Sequence, residues 1–155
     1  MTELVDDLLD VSRVTRGLVT LQEEKLSVNS LLAEAVEQVH GLLETKRHCF
    51  TVQPSSDQFV VKGDRTRLIQ VFANILNNAA KYTPPEGHIT LRVDADDGHI
   101  KVAVEDDGIG ISPTLLPYIF DLFTQPERSP DRSQGGLGLG LTLVKTLVEL
   151  HRGEV

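Results

Sequence analysis

Leu4, Leu8, Val11 and Leu18 recur at steps of four, three and seven, with Thr15 filling the missing step, a heptad stripe that predicts a helical arm over residues 3–22 packing against another helix. After QEEK, LSV reads as a strand. Asn29 or Ser30 can cap a helix that carries Leu32, Ala35, Val36, Val39 and Leu43 and ends near TKRH. CFTVQ and FVVK read as short strands around the turn PSSD, and Asp64 caps a third helix running to about Tyr82, where Pro84-Pro85 stops it. HITLRVD and HIKVAVE alternate apolar and polar residues across DADDG, which predicts an antiparallel hairpin with Ile89, Leu91 and Val93 matched by Ile100, Val102 and Val104. Beyond it come DDGIGISP, a short apolar piece LLPYIFDLF, a polar stretch TQPERSPDRSQ, and GGLGLGL leading into a last helix, LTLVKTLVELH. The mixture predicts an α+β fold, a two-layer α/β sandwich with helices on one face of a mixed, mostly antiparallel sheet.

Composition removes whole classes of function. At 155 residues and 40% hydrophobic, the chain is the size of one domain with a sizeable core. The formal charge of -8, from 15 Lys+Arg against 23 Asp+Glu, argues against a broad nucleic-acid or anionic-membrane surface. A single cysteine, Cys49, excludes an internal disulfide framework and a cysteine cage for metal. No apolar run approaches the roughly 20 residues of a membrane span, and the opening MTELVDDLLD is acidic where a signal peptide is basic. The expectation is a cytoplasmic chain that touches neither nucleic acid nor membrane.

The third helix carries the first chemical signal. At roughly 100° per residue, Leu68, Phe72, Ile75, Leu76 and Ala79 form one stripe, and Arg67, Gln70, Asn74, Asn78 and Lys81 another well away from it. Asn74, Asn77 and Asn78 together cost the helix about 1–2 kcal/mol against alanine. A tolerated solvated face is one explanation. The other is that Asn74 and Asn78, one turn apart, offer neutral oxygens to a hard cation, with Lys81 a turn further on for a phosphate oxygen.

Two glycine-rich segments favour the second. Asp106-Asp107-Gly108-Ile109-Gly110 follows a strand directly, which sets a carboxylate at the strand end and permissive residues where backbone can approach a flat ligand. Gly135, Gly136, Gly138 and Gly140 precede a helix, so their amides and the helix N-terminus can hold an anion. Neither GxxxxGK[ST] nor GxGxxG is present, and the two commonest nucleotide folds are thereby set aside.

In order, NILNNAAKYT, VEDDGIGI, IFDLF and GGLGLGL resemble the N, G1, F and G2 boxes of the catalytic, ATP-binding domain of sensor histidine kinases, in the GHKL ATPase/kinase superfamily. The resemblance implies a Bergerat-type fold over 23–155, truncated at its C-terminal strands, preceded over 1–22 by the end of a dimerisation and phosphotransfer helix; the last motif looks like that of hybrid sensor kinases. It implies ATP and Mg²⁺ as ligands. Asp106 would accept a hydrogen bond from the adenine amino group, and Gly108 and Gly110 would shape the adenine pocket. Asn78 would bind Mg²⁺ with help from Asn74, Lys81 would meet phosphate, and Tyr82 would border the nucleotide. Asn74 and Lys81 take the catalytic places. Phe120 and Phe123 would anchor one end of a lid over residues 124–134, with Gly136, Leu137, Gly138, Leu139 and Gly140 at its other end and Arg132 on it facing phosphate.

The superfamily's hydrolases carry a glutamate one turn before the metal-binding asparagine, and Asn74 cannot take a proton from water as that glutamate does. Phosphoryl transfer fits better than hydrolysis. None of the five histidines lies in the HE-type motif of a phosphoacceptor, so the implied partners are a phosphoacceptor histidine domain of the same protein, a response regulator receiver domain and a second copy in a full-length homodimer. The alternatives are another GHKL member, an ATPase or an anti-sigma-type serine kinase, and a binding module that has lost transfer.

Overall fold

The structure is a computed structural model, and it describes residues 2–53, 57–121 and 140–155. The elements run α1 (Thr2–Thr15), β1 (Glu23–Ser27), α2 (Val28–Thr45), β2 (Cys49–Gln53), β3 (Val60–Asp64), α3 (Arg65–Tyr82), β4 (His88–Asp96), β5 (His99–Asp106), a 3-10 turn (Leu116–Tyr118) and α4 (Gly140–Leu150). They divide into two compact units, 23–110 and the pair of segments 1–22 and 111–155. No helix among the described residues is long and apolar enough to cross a membrane.

The unit 23–110 is the α+β sandwich the sequence predicts. The β4–β5 hairpin turns through Asp97 (φ 48°) and Gly98 (φ 80°), both left-handed as a two-residue hairpin turn requires. Its register sets Leu91 opposite Val104 and Val93 opposite Val102. Ile89, Leu91 and Val93 point into the core with Leu31, Leu32, Ala35, Val39 and Leu43 of α2 and Ile69, Ala73, Leu76 and Ala80 of α3. On the other face of the hairpin, Arg92 forms an ion pair with Glu105.

Several expectations are corrected. FVVK and CFTVQ do not pair across PSSD; β2 runs parallel to β4, while β3 pairs antiparallel with β1 as a separate ribbon. A strand-turn-strand pattern fixes strand character but not partner, since pairing is decided by tertiary burial. Ser27, not Asn29 or Ser30, caps α2, its hydroxyl accepting from the Ser30 N–H at 3.4 Å. On α3, Leu76 and Ala79 are buried as expected, but Leu68, Phe72 and Ile75 are only half-buried, and Ile69, Ala73 and Ala80 join the core beside them. Because α3 meets both α2 and the strands, its apolar face is wider than one stripe.

In the other unit α1 packs against α4, with Val11 and Val14 on α1 and Leu143, Val144 and Leu147 on α4 buried. The arm does not run to residue 22. Gly17 adopts φ 68°, and the Gly17 and Leu18 N–H groups donate to the Val14 and Arg13 carbonyls at 3.1 and 2.9 Å, which closes the helix at Thr15. Leu18 therefore leaves the stripe and is exposed, as are Val5, Leu8 and Leu9.

Candidate functional site

Asp64 caps α3 by accepting from the Arg67 N–H at 3.2 Å. This fixes the phase of everything downstream on the helix. Asn74, Asn78 and Lys81 then lie within roughly 60° of one another around the axis. All three are half-buried, whereas Asn77 is exposed. Of the three asparagines, one is ordinary surface and two line the edge of the core. The Asn74 Nδ2 is buried and has no hydrogen-bond partner among the described residues, an unmet donor of the kind a buried amide rarely keeps unless an acceptor arrives from outside. Burial holds the Lys81 ammonium below its ordinary pKa and the Tyr82 phenol above its own. The Lys81 Nζ sits 5.3 Å from the centroid of the Tyr82 ring.

The loop after β5 is fastened to this helix end. Asp106 Oδ1 accepts from the Gly108 N–H at 2.9 Å, which curls the chain back on the carboxylate. The Ile109 N–H then donates to the Tyr82 carbonyl at 3.2 Å. A Cβ on Gly108 would lie 2.5 Å from that carbonyl oxygen, so only glycine permits the approach. Gly110 has φ 70°, left-handed, with open space where a Cβ would stand. Asp106, Gly108 and Gly110 are thus brought beside the last turn of the helix that carries Asn74, Asn78, Lys81 and Tyr82.

Asp107, to which the sequence assigned nothing, holds the loop from the other side. Its Oδ1 accepts from the His88 N–H at 2.7 Å and its Oδ2 from the His88 Nδ1 at 2.9 Å. The His88 backbone N–H, ahead of its imidazole, keeps the Asp107 carboxyl below the usual carboxylate range. Thr83 is fully buried against Gly87, where a Cβ would strike its methyl group.

In the unit of residues 1–22 and 111–155, the Thr142 hydroxyl of α4's first turn donates to the Phe120 carbonyl at 2.7 Å. The Lys145 Nζ lies 5.8 Å from the Phe120 ring centroid. These two contacts tie the first turns of α4 to Phe120. Phe123, Arg132, Gly136, Leu137, Gly138 and Leu139 lie outside the described residues.

The model of the family described as "Histidine kinase-, DNA gyrase B-, and HSP90-like ATPase" matches residues 63–155. The solved structure of the mycobacterial sensor histidine kinase MprB superposes with a TM-score of 0.70 at 30% identity, covering 84% of this chain and 80% of that one. The chain belongs to this family. It is an ATP-binding catalytic domain of the sensor histidine kinase type. Among curated relatives, the circadian input-output histidine kinase CikA of Thermosynechococcus vestitus is 35% identical over 99% of this chain, which spans 21% of that protein. Full-length ShkA, solved in complex with AMPPNP, superposes with a TM-score of 0.80 at 28% identity over 95% of this chain and 30% of its own. The domain spans about a fifth to a third of these longer relatives.

Proposed function

We propose that this domain binds ATP with Mg²⁺ between the α3 end and the Asp106–Gly110 loop, and transfers the γ-phosphoryl group to a histidine on a phosphoacceptor domain of the same protein. The observation that carries the reading is the fastening of Gly108 and Ile109 to Tyr82, which sets the Asp106 carboxylate and its glycine loop beside the helix that carries two amides and an ammonium. Asp106 accepts from the adenine amino group, and Gly108 and Gly110 let the ring lie against backbone. Asn78 supplies a neutral oxygen to Mg²⁺ and Asn74 assists, its unmet Nδ2 donor serving a phosphate oxygen or a metal-bound water. The Mg²⁺ ion, when bound, neutralises phosphate charge. Lys81 is already half-desolvated, so a phosphate oxygen gains more from it than from a fully hydrated ammonium. Tyr82 borders the nucleotide.

An amide at position 74 cannot serve as general base for water, so the domain positions reactants instead of hydrolysing ATP. Residues 1–22 form the end of the dimerisation and phosphotransfer helix and 23–155 the catalytic domain; the exposed Val5, Leu8 and Leu9 support an arm that packs on another helix in a homodimer. A receiver domain takes the phosphoryl group onward, in the cytoplasm. The family resemblance assigns Phe120, Phe123, Arg132 and residues 136–140 to the nucleotide; of these, Phe120 and Gly140 are among the described residues. The test is titration with AMPPNP: Asp106→Asn abolishes binding and Asn78→Ala removes the strengthening by Mg²⁺. Wild-type behaviour of both variants would sink the assignment.

A further inference from the structure

An α-helix ends with carbonyls that lack partners, and the N–H groups of the next residues ordinarily take them. For α3, the Ala80 and Lys81 carbonyls would accept from the N–H groups at positions 84 and 85. Both positions are proline and have no N–H. Pro84 also forces Thr83 into the extended region, observed at φ -94° and ψ 125°, so the helix cannot close on itself through a left-handed residue.

The missing donors come from Lys46, just past the end of α2. Its Nζ donates to the Ala80, Lys81 and Thr83 carbonyls at 3.0, 2.7 and 3.2 Å, three hydrogens for three acceptors. The His48 Nε2 also donates to the Thr83 carbonyl, at 3.0 Å. The Lys46 carbonyl accepts from the Glu86 N–H at 2.9 Å, so residue 46 grips the prolines' loop from both sides. Only the Tyr82 carbonyl is left, and Ile109 takes it. Four consecutive carbonyls at one helix end are held by groups remote in sequence, and these residues and their neighbours are the candidate site.

We propose that Lys46 is a positioning residue for the nucleotide site: it replaces the donors that Pro84 and Pro85 withhold and so fixes Lys81, Tyr82 and, through the Tyr82 carbonyl, the Asp106–Gly110 loop. It touches no substrate. A lysine suits the place because the C-terminal end of a helix carries partial negative charge and three carbonyls converge there, and a methionine would keep the stem while removing every donor. The proposal rests on the nucleotide-binding reading above.

The test uses the whole chain with Lys46→Met, Lys46→Arg and, as a variant destabilised elsewhere in α2, Val39→Ala. Each is titrated with AMPPNP and Mg²⁺, and hydrogen exchange of the Ile109 amide is followed in the absence of nucleotide. Lys46→Met is expected to weaken binding about tenfold, the loss of one well-made hydrogen bond's worth of order, and to speed Ile109 exchange by a similar factor. Lys46→Arg should recover most of both, and Val39→Ala should alter neither while lowering the melting temperature. Wild-type affinity in Lys46→Met, or an equal loss in Val39→Ala, overturns the proposal. Should the wild type bind no nucleotide, the functional reading fails by itself, and the Ile109 exchange still decides whether Lys46 holds the loop.

Discussion

Helices α2 and α3 each run 18 residues and lie side by side, yet they end in opposite ways. At the end of α2, Arg47 turns left-handed at φ 52°, and the Arg47 and His48 N–H groups return to the Glu44 and Leu43 carbonyls at 3.0 Å each. The closure is local, using only residues that follow the helix. At the end of α3 the prolines forbid that closure, and the carbonyls are met by Lys46, His48 and Ile109. A locally closed end depends on nothing else in the fold. A remotely closed end transmits its position to whatever closes it, and the proposed ligand groups sit at the second kind.

The change expected to disturb this contrast most is Gly108→Ala. Its Cβ would meet the Tyr82 carbonyl at 2.5 Å, and overpacking against backbone costs about 1–3 kcal/mol. AMPPNP affinity should fall roughly 10- to 100-fold by calorimetry, whereas Gly110→Ala, with open space around it but φ 70°, should lose less. Equal losses would mean that backbone conformation, not close approach, is what the loop needs.

Next in size is the capping network itself. Removing the Lys46 donors leaves carbonyls half-covered and unmet, so urea denaturation should show Lys46→Met destabilised by about 1–2 kcal/mol. Pro84→Ala returns an N–H to the Ala80 carbonyl, and the double variant should lose less than the sum of the two single changes. Strict additivity would contradict the idea that lysine and proline answer one another.

Asp107 supplies a sharper test through pH. Because its carboxyl titrates below the ordinary value in the folded chain, its contribution is present above the unfolded carboxylate range and is lost as pH falls through the lower folded value. Thermal melting of the wild type should therefore weaken on the acid side of about pH 4, and Asp107→Asn should flatten that part of the profile. The smallest effect belongs to the local end. Arg47→Gly relieves a left-handed non-glycine residue and sacrifices only an exposed ion pair at 4.0 Å, so stability should rise by a few tenths to about 1 kcal/mol. Nucleotide affinity should stay unchanged.

The same contrast separates what could be read in the sequence from what could not. The caps at Asp64, the hairpin turn at Asp97-Gly98 and the phase of Asn74, Asn78 and Lys81 are local consequences of residue type, and they stand in the structure as the sequence implies. Proline at 84 and 85 marks the end of α3 equally well. What no local rule supplies is the partner of a group left unmet. Lys46 lies 34 residues before Ala80, and nothing in TKRH distinguishes it from a solvated lysine. The parallel pairing of β2 with β4 and the closure of α1 before Leu18 were missed for related reasons: the first is tertiary, and the second follows from Gly17, a stop signal that the heptad pattern overrides on paper. Thr83 and Asp107 escaped because a buried hydroxyl and an acid in a turn have many ordinary uses.

The most direct test of the account is a ¹H–¹⁵N spectrum of the chain titrated with AMPPNP and Mg²⁺. The account predicts that the backbone amides of Asp106 to Gly110 and of Lys81 to Thr83, with the side-chain amides of Asn74 and Asn78, shift together along one saturating curve, while the closed end of α2 at Arg47 stays still. A titration that saturates while leaving those resonances unmoved would contradict it.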